Sequence, residues 1–80
     1  GVSKVTQTRV KAYPNPAYQQ LMVEAKGNFV AEVYSIVGRK VMVKQATDTG
    51  ILDLTALPEG IYTVLVTCEG RTDLVRITKR

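Results

Sequence analysis

The chain has 80 residues, of which 45% are hydrophobic and 22% charged, with a formal net charge of +4; these values describe one compact domain rather than a disordered tail or a multidomain enzyme. It has no His and a single Cys, Cys68, which excludes triads built on an imidazole base, zinc sites of His or paired thiolates, and an internal disulfide. No apolar run approaches the ~20 residues of a membrane-spanning helix, and no signal-peptide pattern is visible.

Twelve Val, nine Thr and four Ile against six Leu and no Trp make a strand composition. After Tyr13, glycines recur at positions 27, 38, 50, 60 and 70, the interval at which an all-β sandwich places its turns. The spacing predicts seven strands near 8–13, 19–26, 28–37, 40–45, 50–54, 60–69 and 71–79, in an antiparallel two-sheet sandwich. The chain starts at Gly1 rather than Met, so residues 1–7 are read as a linker or the end of a preceding domain, and 8–80 as the folded domain of a longer protein.

In chain order, Tyr13-Pro14-Asn15-Pro16 contains two X-Pro steps that force extended backbone and remove two N–H donors, so the first strand must end in a bend there. Leu21 and Val23 alternate with Gln20 and Glu24. Val33 sits in the third predicted strand, and Gly38-Arg39-Lys40 is a hairpin turn, since no helix follows it to hold a phosphate. Val41 and Val43 are expected to point inward and Lys40 and Lys44 outward. Leu52 and Leu54 complete the fifth strand. In the sixth, Tyr62, Val64, Val66 and Cys68 share one side while Ile61, Thr63, Leu65 and Thr67 share the other, a two-sided apolar pattern that suits a central strand. Leu57-Pro58-Glu59-Gly60-Ile61-Tyr62 resembles a tyrosine corner, in which a buried hydroxyl bonds back to upstream backbone. Val75 and Ile77 face in on the last strand.

None of these residues assembles chemistry. Cys68 reads as a buried apolar thiol, because a reactive one needs a base or a cationic pocket. The seven acids form neither a calcium loop nor a glycosidase pair. No catalytic residue, metal site or cofactor is expected. The positive charge is concentrated at the two ends: residues 1–11 and 71–80 hold Lys4, Arg9, Lys11, Arg71, Arg76, Lys79 and Arg80 against Asp73 alone. If the first and last strands lie side by side, these form a basic stripe. Nucleic acid is disfavoured as its partner, because no aromatic residue interleaves with it.

Four segments add specificity. Tyr13-Pro14-Asn15-Pro16-Ala17, then Val33 to Val41 with Gly38-Arg39-Lys40, then Leu52 to Val64 with Leu57-Pro58-Glu59-Gly60-Ile61-Tyr62, and finally Arg76-Ile77-Thr78-Lys79-Arg80 occur in that order. Together they strongly resemble the type IX secretion system C-terminal sorting domains, the Por secretion tail family. The resemblance implies an immunoglobulin-like fold and a domain that directs its parent protein from the periplasm across the outer membrane to the cell surface or the exterior. It further implies recognition by the type IX translocon and, in many relatives, removal by a sortase-like cysteine peptidase with attachment of the cargo to anionic lipopolysaccharide. The alternative it leaves is a retained immunoglobulin-like binding or assembly module of the secretion machinery. Carried over by position, Tyr13, Pro14, Asn15, Pro16, Gly38, Arg39, Leu57, Pro58, Gly60 and Tyr62 would hold the fold. Arg76, Ile77, Thr78, Lys79 and Arg80 would be the recognition signal, with Arg76 standing where Lys is more usual and Thr78 where an apolar residue is common. Exposed strand edges are also expected to allow a homodimer by edge pairing or strand exchange.

Overall fold

The computed structural model describes residues 10–14 and 17–80. Within them five strands form one antiparallel sheet: β1 (Lys11–Tyr13), β2 (Gln20–Tyr34), β3 (Lys40–Asp53), β4 (Gly60–Cys68) and β5 (Arg71–Lys79). The expected boundary at residue 8, together with Asn15 and Pro16, lies outside the described residues.

β2 organises the sheet. One of its edges is covered by β3 along both halves of the strand, from Gln20 opposite Asp53 to Tyr34 opposite Lys40. Its other edge is divided: β1 pairs with residues 22–24, and β4 pairs with residues 29–34. β5 then pairs with β4 over its whole length. The sheet curls until the end of β5 meets Ala17, just ahead of β2, in a single parallel bridge to Lys79. A core that a sandwich would place between two sheets therefore lies inside one curled sheet.

The chain is all-β and antiparallel as expected, but the seven-stranded immunoglobulin-like sandwich is corrected to five strands. Two pairs of predicted strands are continuous. The break expected between 26 and 28 and the one expected between 45 and 50 lie opposite each other, where the β2–β3 register shifts between Glu24 and Asn28. There Gly27 (φ 91°) and Asp48 (φ 64°) adopt left-handed backbone, and the Gly27 N–H donates to Asp48 Oδ1 at 2.9 Å. Turn-type residues at these positions thus make a bulge that bends two long strands together rather than ending them. Gly50, also counted as a turn marker, is buried within β3, where a Cβ would come 3.2 Å from Phe29 Cζ and 2.9 Å from Ala46 Cβ. It is glycine because Ala46 Cβ, with the Phe29 ring beside it, already occupies the place of a side chain.

The core consists of Val10, Ala17, Leu21, Val23, Ala25, Phe29, Ala31, Val33, Leu52, Leu54, Tyr62, Val64, Val66 and Ile77. Odd-numbered residues of β2 and even-numbered residues of β3 and β4 supply most of it, the period of two that a one-sided sheet imposes. Three expected members differ. Val41 and Val43 are exposed, at 36% and 57%, and Met42 packs against the core in their place. A second register shift causes this: Val33 faces Met42 but Tyr34 faces Lys40, so Val41 is an extra residue and the phase of β3 reverses relative to its valines. Val75 is half-buried, because its strand lies at the sheet's margin.

At the end of β3, Asp53 Oδ1 accepts the Thr55 N–H at 3.0 Å and the Thr55 hydroxyl at 2.5 Å. The two bonds hold the Asp53 carboxyl below its ordinary pKa, the hydroxyl contributing most. A carboxylate depressed in the folded state stabilises the fold above its unfolded pKa, and that stability disappears as pH falls through the lower folded value. Between about pH 5 and pH 2, Asp53→Asn should therefore lose less of its urea midpoint than the parent chain. Equal losses would show that this carboxyl is not linked to folding.

Candidate functional site

The four sequence segments that stand out converge at one end of the sheet. Gly60 pairs with Lys79, Ile61 with Thr78, Tyr62 with Ile77 and Thr63 with Arg76, so the third segment lies directly beside the last. Ala17 closes the group from the other side: its N–H donates to Thr78 O and its carbonyl accepts from the Arg80 N–H, both at 2.7 Å. The β2–β3 turn belongs to the same end, because Tyr34, its last strand residue, pairs with Thr63 of β4.

Each segment has a local cause for its shape. The tyrosine corner is present: the buried Tyr62 hydroxyl donates to Pro58 O at 2.6 Å, fixing the chain as it enters β4. Leu57, partly buried, packs against the core, and its N–H donates to Leu54 O at 2.9 Å. The β2–β3 turn is pinned by three bonds: Ser35 N–H to Arg39 O at 2.8 Å, Gly38 N–H to Ser35 O at 2.9 Å, and Arg39 N–H to Ser35 Oγ at 3.3 Å. Its tip exposes Ile36 and Val37 at 78% and 82%. The Tyr13-Pro14 bond is cis, and the Tyr13 hydroxyl donates to Glu24, which raises the phenol's pKa above its ordinary value. Replacing Tyr62 by Phe removes one bond and leaves the Pro58 carbonyl in a partly buried place, at an expected cost of about 1 kcal/mol in urea denaturation. A change below the measurement error would mean that the hydroxyl does not pin the corner.

The predicted recognition residues are not equivalent in space. Ile77 is 1% exposed and fills the core opposite Tyr62. Thr78 and Lys79 are half-buried, while Arg76 and Arg80 are exposed. In the folded domain a partner can therefore touch Arg76, Lys79 and Arg80, whereas the Ile77 side chain acts as an anchor. Ala17, 0% exposed, is the residue whose importance spacing did not reveal. Its main-chain bonds connect positions 17 and 78–80, and the only trace of it in the sequence is a small residue following the proline pair.

The basic ends do not form one stripe among the described residues. Lys11 and Arg71 both line a cleft of about 660 Å³, together with Val10, Glu24, Ala25, Lys26, Asp48, Thr49, Cys68, Glu69 and Asp73. Four carboxylates and three cations make that cleft mixed in sign, so it does not select an anion. Lys4 and Arg9 lie outside the described residues. Cys68 is half-buried rather than fully buried, and its thiol donates to Lys26 O at 2.9 Å. Among the described residues, those lining this cleft do not bring a nucleophile, a base and an oxyanion donor together.

No curated protein matches the chain. Residues 11–79 match the family described as the secretion system C-terminal sorting domain, a sorting rather than a catalytic family, and the matched span covers all five strands and the converging end. The chain belongs to the family of C-terminal sorting domains of the type IX secretion system.

Proposed function

We propose that this domain directs its parent protein across the outer membrane by presenting the end of β5 to the type IX translocon. The observation that carries the reading is the way that end is built. Main-chain bonds to Ala17 on one side and strand pairing with β4 on the other hold residues 78–80 in place, while Arg76 and Arg80 remain exposed. A short cationic strand end fixed on a folded scaffold suits recognition by an acidic or strand-pairing receptor, because little ordering remains to be done on binding. The parent protein passes through the periplasm and arrives at the outer membrane surface or the exterior. A sortase-like cysteine peptidase then removes the domain ahead of β1 and joins the cargo to anionic lipopolysaccharide. Residues 8–80 act as the signal, and residues 1–7 as the link to the cargo.

Fusing the chain behind a neutral periplasmic reporter tests this. Surface delivery that depends on the domain supports a signal, and a reporter that stays in the periplasm overturns the reading. The mass of the delivered reporter separates removal from retention: loss of the domain with added lipopolysaccharide supports sortase processing, and an intact fusion favours a retained assembly module.

A further inference from the structure

The β2–β3 turn is built from residues that its geometry does not ask for. The bond from the Gly38 N–H to Ser35 O closes a β-turn with Ile36 and Val37 at its centre, and Gly38 behind them takes the left-handed backbone, at φ 85°. Central turn positions are usually filled by Pro, Asp, Asn, Ser or Gly, whereas β-branched aliphatic residues prefer strands. Ile36 and Val37 are nevertheless the two most exposed large hydrophobic side chains among the described residues, and neither packs against the core. The fold itself therefore gives no reason for an apolar pair at this tip. The surroundings of the tip are cationic. Arg39 is exposed on the same turn. Tyr34 at its base pairs with Thr63, which pairs with Arg76, and Lys79 pairs with Gly60, so β5 finishes at this end of the sheet. Both the tip and the Lys79-Arg80 end project beyond the row of Tyr34, Thr63 and Arg76. Lys40 is neutralised by Glu32 at 2.8 Å. Within residues 35–40, 59–63 and 76–80, Arg39, Arg76, Lys79 and Arg80 then stand against Glu59 alone.

We propose that the Ile36-Val37 tip is a membrane contact: it enters the headgroup boundary of an anionic lipid surface while Arg39, Arg76, Lys79 and Arg80 lie over the acidic headgroups. Two features select that partner. The cations are spread over the turn and the end of β5 instead of converging on one point, an arrangement that suits a plane of negative charge better than a single carboxylate. The apolar part is a pair of aliphatic side chains on a turn already fixed by main-chain bonds between Ser35 and Arg39, so little ordering remains to be done on contact. Two such side chains are too few to anchor a domain by themselves, and the contact therefore needs the neighbouring charges. Tyr34, half-buried at the base of the turn, stands at the depth where an amphipathic ring meets a bilayer interface.

The contact does not depend on the export reading, because its test contains no translocon. Cosedimentation compares vesicles of phosphatidylglycerol and phosphatidylcholine in equal parts with vesicles of phosphatidylcholine alone. The chain should bind the anionic vesicles at least about tenfold more strongly, and that binding should fall as salt is raised. Replacing Ile36 and Val37 together by Ser should weaken it at least about tenfold by removing the inserted area, and Arg39→Glu should do so by about tenfold through charge. Leu74→Ser removes an exposed aliphatic side chain from the middle of β5, away from the tip, and should leave binding unchanged. All of these side chains are exposed, so the variants should stay folded by circular dichroism. Since the chain contains no Trp, Val37→Trp supplies a single fluorophore whose emission should move to the blue on anionic vesicles, while that of Leu74→Trp should not. No binding at millimolar lipid, equal binding to both kinds of vesicle, a Ser pair that binds like the parent chain, or a blue shift at Leu74→Trp alone would each overturn the proposal. So would a Ser pair that stops surface delivery of the fused reporter when the parent chain ignores the vesicles, a result that makes the tip a protein contact.

Discussion

Truncating Leu54 or Val64 to Ala is expected to lower the unfolding free energy by about 2–4 kcal/mol, with Leu54 toward the upper end. Both side chains are 0% exposed and belong to the one cluster inside the curled sheet. The small strands around them cannot collapse independently, because β2 holds every other strand directly or through β4. The loss is a large part of the ~5–15 kcal/mol available to a whole domain. Urea denaturation monitored by circular dichroism checks it, with the midpoint moving and the slope unchanged. Val43→Ala serves as the internal control. The valine spacing places Val43 inside, but it is 57% exposed, so its truncation should cost within about 0.5 kcal/mol. A Val43 cost equal to that of Val64 would contradict the register of β3.

The second large effect concerns the end of β5. Replacing Lys79 and Arg80 together by Glu should abolish surface delivery of a fused reporter, and replacing both by Ala should reduce it, while each variant remains folded. Substitution is a cleaner test than deletion. The Arg80 N–H donates to Ala17 O, and Lys79 pairs with Gly60, so removing the two residues would also open the junction that fixes the strand end. Substitution keeps those main-chain bonds and changes only the charge presented. Full delivery by a folded Glu variant would show that charge at this end is not the recognised element. The basic residues Lys4, Arg9 and Arg71 would then be the next to reverse.

Much of the site was legible along the chain because its residues act locally. The tyrosine corner needs a Pro-Glu-Gly turn and a Tyr two positions after the Gly, and Tyr62 bonds Pro58 as that spacing requires. The turn at Gly38 was legible for the same reason. The role of Ala17 was not, because it depends on main-chain bonds to residues 78–80, about sixty positions away. Ile77 illustrates the same limit: alternation placed it inward, but the consequence that a partner cannot reach it emerges only once it is seen to fill the core opposite Tyr62.

Composition and period-two alternation by themselves determined an all-β antiparallel domain, most of its core, and the turns at Gly38, Gly60 and Gly70. These follow from side-chain preferences that operate over a few residues. Only the tertiary structure decided the number of strands and the phase of β3. Gly27 and Asp48 carry the same turn-like chemistry whether they end two strands or bend them, and what chooses is the partner strand: β2 bulges opposite Asp48, and the two strands continue past that level together. The extra residue at Val41 likewise exists only relative to Val33 and Tyr34 across the ladder. Register is a property of a pair of strands, so the alternation within β3 could show that one face is apolar but not which one the sheet would bury.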